Sequence, residues 1–177
     1  MEPDPMRRLA RSLIDTSFDN LPPEAVQATK NHLIHTLGTI LAGSSTAGCG
    51  TVTKLINGWG GSPQSSILVF GSLVPAPHAA LVNSVMAEAG EFQNNDDRIN
   101  YKSSVCAIPA AWATAERLGG VSGKELITAV CAASTALPIP REKTERALEL
   151  LEGLEMVEDV SELPKLLSPT RANGRGV

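Results

Sequence analysis

Aromatic side chains are scarce in this chain, with two tryptophans, one tyrosine and three phenylalanines among 177 residues. Surfaces that stack nucleobases need several such rings. Basic charge in excess is lacking too: 15 lysines and arginines stand against 19 acids, giving a net charge of −4, and no segment gathers a basic stripe. Both absences exclude nucleic acid as the expected partner. No apolar run approaches the roughly 18 residues that a membrane span needs, so no membrane partner is expected. The N-terminal stretch Met1 to Leu13 carries charges where a secretory signal has its apolar region. The three cysteines, Cys49, Cys106 and Cys131, are odd in number and lack metal-ligand spacing. They predict reduced thiols in a cytoplasmic protein rather than a disulfide framework.

What the chain does contain is 42% hydrophobic residues and ordinary charge, enough for one good core. The stretch Ala79 to Pro109 organises it. It begins with small and apolar residues, passes Glu88 and Glu91, and enters a polar loop over residues 93–104. That loop packs amides, two carboxylates, a tyrosine and a lysine into a dozen positions. A polar cluster between two hydrophobic helices is a natural place for a small-molecule site.

Taken in order, residues 6–18 place Leu9, Leu13 and Ile14 on one helical face. Asn20 to Glu24, with Pro22 and Pro23, reads as a helix start. Val26, Leu33, Leu37, Ile40 and Leu41 carry the helical period to about Ala42. His32 and His35 lie three apart on this helix, but no third ligand stands near them, so no metal site is expected. Thr51 to Gly58 reads as a short helix and residues 58–63 as a turn. The glycines Gly58, Gly60 and Gly61 have no preceding strand and no following lysine, so they read as a connector rather than a phosphate loop. Residues 66–70 (SILVF) form the one strand-like run, too isolated to imply a sheet.

Residues 77–92 read as a helix whose buried side is marked by Leu81, Val85 and Phe92, with Glu88 on the same face and Glu91 leaning toward the same region. After the loop, Cys106 to Leu118 reads as a helix opened by Ile108 and Pro109. Ser122 and Glu125 form a capping box that starts a helix to about Ala133. Composition changes at residues 138–140, from Ala- and Gly-rich to dense in Glu, Lys and Leu. The expected organisation is an N-terminal helical domain over residues 1–137, a junction at 138–140 and a helical segment at 141–167. In that segment Ala147, Leu150, Leu151 and Leu154 make an apolar stripe that docks on the same domain. A disordered tail is expected at 168–177. The fold class is all-α, a helical bundle.

Three runs in this order, NHLIHTLGTILAG (31–43), AALVNSVMAEAGEF (79–92) and AIPAAWATAERLGGVSGKELITAV (107–130), resemble the N-terminal helical domain of the MmgE/PrpD family. That family includes 2-methylcitrate dehydratase, cis-aconitate decarboxylase and iminodisuccinate epimerase. Residues 147–167 resemble its extreme C-terminus, which folds back on the helical domain. Family members carry an α+β lid domain between these pieces, which the resemblance therefore implies is missing here. The resemblance also implies a homodimer, no cofactor and a small di- or tricarboxylate substrate.

The family motif usually reads His-Ala-Leu-Asp-Phe-Asp-Asp-Thr, followed by His-Pro-Gly. Here Glu88 stands at the first histidine and Glu91 at the first aspartate. Phe92 is kept, while Gln93, Asn94 and Asn95 replace Asp-Asp-Thr. Lys102, Ser103 and Ser104 stand where His-Pro-Gly is expected. His35 occupies a position that is commonly aspartate, a change expected to touch packing rather than chemistry.

The expected activity is cofactor-independent proton abstraction leading to dehydration, decarboxylation or epimerisation. The candidate catalytic residues are Lys102, Tyr101 and Glu91. Lysine binds a carboxylate as a point charge, or serves as a base where burial lowers its pKa, and Tyr101 could return the proton. Glu88, Asn95, Asp96 and Asp97 are the candidate substrate contacts. The alternatives are a catalytically inactive helical dimerisation scaffold and a carboxylate-binding module.

Overall fold

A computed structural model describes residue 11, residues 13–95 and residues 102–136. Leu13–Leu137 forms one compact unit. Among the described residues five α-helices are complete: α1 (Pro23–Gly43), α2 (Cys49–Trp59), α3 (Ala76–Glu88), α4 (Ser104–Arg117) and α5 (Gly123–Ala136). The fold is all-α apart from two two-residue strands, β1 (Ser65–Ser66) and β2 (Leu73–Val74). No helix among the described residues is long and apolar enough to cross a membrane. The expected helix at residues 6–18 falls mostly outside the described residues. The junction, the docking segment at 141–167 and the tail lie wholly outside them.

α3 is the central element and packs against α4, α1, α2 and the strands. Its buried residues are Ala76, Ala79, Val82, Asn83, Met86 and Ala87, a run with the three- and four-residue spacing of one helical face. The face expected from the sequence is corrected here: Leu81 is 48% and Phe92 72% exposed. The helix also ends at Glu88 rather than at 92. Alanines alternate with Val82 and Met86 on the inward face. Ile40, Ile56, Ile67, Val82 and Met86 fill the core around them, each such side chain contributing about 1.5–3 kcal/mol by leaving water.

α1 lies directly against α3 at Gly43, the last residue of α1. A Cβ there would fall 1.9 Å from the Met86 carbonyl oxygen, so only glycine fits. α4 runs through Pro109, which is buried inside the helix rather than at its start. Proline at that position removes one backbone hydrogen bond to the preceding turn. The capping box of α5 forms as expected. The Ser122 amide donates to Glu125 Oε2 at 2.7 Å, and the Glu125 amide donates to Ser122 Oγ at 3.2 Å.

The run at 66–70 is not one strand but half of a tight hairpin. Ser65 pairs with Val74 and Ser66 with Leu73, antiparallel. Chain reversal uses Val69 at φ 69 and Gly71 at φ 74, with the Phe70 amide donating to the Leu68 carbonyl at 2.8 Å. That i to i+2 bond with positive φ is a strained γ-turn, and a β-branched residue rarely occupies it. Side chains of the neighbouring helices hold the hairpin. Buried Asn83 accepts from the Leu68 amide at 2.9 Å and donates to the Ser66 carbonyl at 3.1 Å. Glu116 accepts from the Ser66 amide and hydroxyl, both at 2.6 Å, and from Trp112 Nε1 at 3.2 Å. A two-residue ladder is too short to stand alone, so these bonds stand in for further strands.

Candidate functional site

Glu88 is the last residue of α3, and Lys102 lies two residues before α4. The largest helix pair of the fold therefore brings the two ends of the polar loop together. Lys102 Nζ sits 3.1 Å from Glu88 Oε1 and 3.0 Å from Glu91 Oε2. Gln93 Nε2 bridges the same two oxygens, at 2.8 Å from Glu88 Oε1 and 3.2 Å from Glu91 Oε2. Three sequence candidates, Lys102, Glu91 and Glu88, thus meet in one cluster. Asn95 is exposed at the edge of the described loop. Tyr101, Asp96 and Asp97 lie outside the described residues.

The cluster is graded in exposure. The side chains of Lys102 and Glu88 are 38% and 40% exposed, that of Glu91 75%. Glu88 Oε2 and Gln93 Oε1 are buried and accept no hydrogen bond. Pairing sets the charges. The hydrogen bond from Lys102, and then that from Gln93, hold the Glu91 carboxyl below its ordinary value. Hydrogen bonds to Glu91 and then Glu88 hold the Lys102 ammonium above its ordinary value. A lysine serving as a base needs the opposite shift. Both contacts favour the charged ammonium of Lys102.

Sequence reasoning missed two residues that shape the cluster. Gln93 was read only as a replaced aspartate, yet it ties the carboxylates together. His35 places Nε2 2.7 Å from the Phe92 carbonyl oxygen, joining α1 to the chain between Glu91 and Gln93. A helix-face histidine gives no signal of a partner 57 positions away. No group of three histidine, cysteine, aspartate or glutamate side chains that could hold a metal forms among the described residues.

The MmgE/PrpD N-terminal domain model matches residues 7–136, well over half of the chain and the whole of this cluster. The chain belongs to the MmgE/PrpD family. No curated protein and no solved structure matches it significantly. The matched span closes at residue 136, where α5 ends. Within this MmgE/PrpD chain, Glu88 and Lys102 contact each other directly.

Proposed function

We propose that this chain serves an MmgE/PrpD-type lyase or isomerase that acts on a small di- or tricarboxylate by proton abstraction without a cofactor. The observation that carries the reading is the Lys102 ammonium, held charged and part-exposed between Glu88 and Glu91. A fixed cation at the mouth of a polar loop suits a substrate carboxylate. The proton acceptor is then Glu88 rather than Lys102. Its Oε1 is tied to Lys102 and Gln93, which orients the group, while the buried Oε2 would have to turn toward a substrate to take a proton. Glu91, whose carboxyl is held below its ordinary value by the hydrogen bonds from Lys102 and Gln93, is poorly suited as a base. The family resemblance supports the substrate class, a homodimeric assembly and a cytoplasmic setting.

Proton NMR in heavy water with citrate, 2-methylcitrate, cis-aconitate, iminodisuccinate and succinate tests the activity. Exchange of an α-proton, loss of water or loss of carbon dioxide is the expected result, each with its own spectral change. No change with any of them would reject the enzyme reading. One observation favours a second reading: both carboxylates already neutralise Lys102. A non-catalytic carboxylate-binding module or inert scaffold would show that silence, and calorimetry with the same compounds separates those two.

A further inference from the structure

A carboxylate already occupies the place where a ligand's carboxylate would go. Glu91 Oε2 is a single oxygen accepting from two donors, Lys102 Nζ at 3.0 Å and Gln93 Nε2 at 3.2 Å. Those two donors form a seat, and its present occupant shows which chemistry the seat takes. Lysine has three N–H donors, of which one goes to Glu88 and one to Glu91. Removing Glu91 therefore frees a lysine donor and a glutamine donor side by side.

The two glutamates are not equivalent. Glu88 ends a helix, is the less exposed, and buries its second oxygen. Glu91 lies beyond the helix, is 75% exposed, and adopts φ 55. Left-handed backbone is disfavoured for a residue with a Cβ by about tenfold in a conformational equilibrium. Helices commonly end on a left-handed glycine, and Gly90 is available one position earlier. Yet the left-handed residue is Glu91. One of two non-glycine residues with left-handed backbone among the described residues thus lies where a carboxylate meets Lys102, and the strain lowers the cost of its displacement.

We propose that Glu91 is a built-in competitor for a ligand carboxylate, and that binding displaces it from a seat formed by Lys102 Nζ and Gln93 Nε2 while Glu88 stays in place. This rests on Lys102 anchoring a carboxylate, as argued above. It adds Gln93 as a binding residue and makes Glu91 the element that sets how readily the site is filled.

Calorimetric titration of succinate and of citrate into the full chain tests it, with the wild type, Glu91→Gln, Glu91→Gly, Gln93→Ala and Lys102→Ala compared. Glu91→Gln removes only the competing charge and should tighten binding by about two- to fivefold. Glu91→Gly removes the competing carboxylate together with the strain that favours its displacement, so it should tighten binding by no more than the same roughly two- to fivefold. Gln93→Ala should weaken binding and Lys102→Ala should abolish it. Binding that needs Lys102 but is unchanged or weaker in both Glu91 variants overturns the competitor role and leaves the carboxylate reading standing. No heat from either ligand with any variant, Glu91→Gly included, overturns both.

Discussion

The contact between Gly43 and Met86 makes a prediction of definite sign. Adding one methyl group at Gly43 puts a carbon 1.9 Å from the Met86 carbonyl oxygen, where real Cβ atoms keep at least 3.0 Å. The obstacle is helix backbone, fully buried, so no side chain can swing aside. α1 and α3 must separate by more than an ångström. Overpacking of this kind costs about 1–3 kcal/mol, sometimes more, against about 1 kcal/mol gained from the better helix propensity of alanine. The rigidity of the obstacle favours the upper end, so Gly43→Ala should destabilise by about 2 kcal/mol. That corresponds to a fall in Tm of about 4–8 °C for a chain of this length. Gly38 is the internal control. It lies on the same helix, is exposed, and a Cβ there would meet nothing within 4 Å. Gly38→Ala should stabilise by about 1 kcal/mol. Urea unfolding of the two variants measures the difference in sign. Stabilisation by both would refute the close approach of α1 and α3.

Asn83→Ala should cost about 2–4 kcal/mol in urea unfolding, because the Leu68 amide and the Ser66 carbonyl both lose their partner; a loss below about 0.5 kcal/mol would mean that the hairpin is held by other contacts. Val69→Gly should stabilise by about 1 kcal/mol, since φ 69 suits glycine and the valine side chain is 56% exposed; a lower Tm would count against the γ-turn. Ser122→Ala removes the cap on the Glu125 amide and should cost about 1 kcal/mol, with no change in Tm as the contrary result. The Glu91–Lys102 pair should contribute across a wide pH window. Glu91 is shifted down, so its share is present above the ordinary carboxylate range and lost as pH falls through its depressed value. Lys102 is shifted up, so its share is present below the ordinary lysine range and lost as pH rises through its elevated value. Carbon-detected NMR of the Glu91 carboxyl reads the first of these, and titration at or above the ordinary carboxylate range contradicts the pairing.

Features fixed by local chemistry were legible in the sequence. Pro22 and Pro23 announced the start of α1, and Ser122 with Glu125 announced α5, because each signal acts within one helical turn. Glu88, Glu91 and Lys102 were also picked out, as chemistry-bearing residues on either side of one loop. The buried face of α3 was not legible. Alanine fits both surface and core, and the one polar residue on that face, Asn83, is buried only because a hairpin 15 positions away supplies its partners. The hairpin misled for the same reason: Ser66 is held by Glu116 and Ser65 by the Ala113 carbonyl, some 50 residues on. Periodicity reports what a residue is, and these positions depend on what it meets. The protonation of Lys102 belongs to this second class too. Loop position left both a point charge and a base open, and the two carboxylates at hydrogen-bond distance favour the cation.

The site and the core are coupled through backbone. Gly43 lets α1 lie directly on the Met86 carbonyl, which fixes where α1 runs along α3. Two turns back on α1, His35 reaches the Phe92 carbonyl. Phe92 is the residue between Glu91 and Gln93, so the histidine anchors the chain at the midpoint of the carboxylate seat while Lys102 and Gln93 hold the side chains. The Phe92 ring itself is 72% exposed and contributes little burial to hold the loop. His35 therefore does more than pack: it fixes the main chain that presents Glu91 to Lys102. His35→Ala leaves the ion-pairing groups untouched, yet it should free the loop backbone and let the Glu91 carboxyl drift back toward its ordinary titration. A depressed Glu91 that survives the loss of His35 would place the whole task of holding the seat on Lys102 and Gln93.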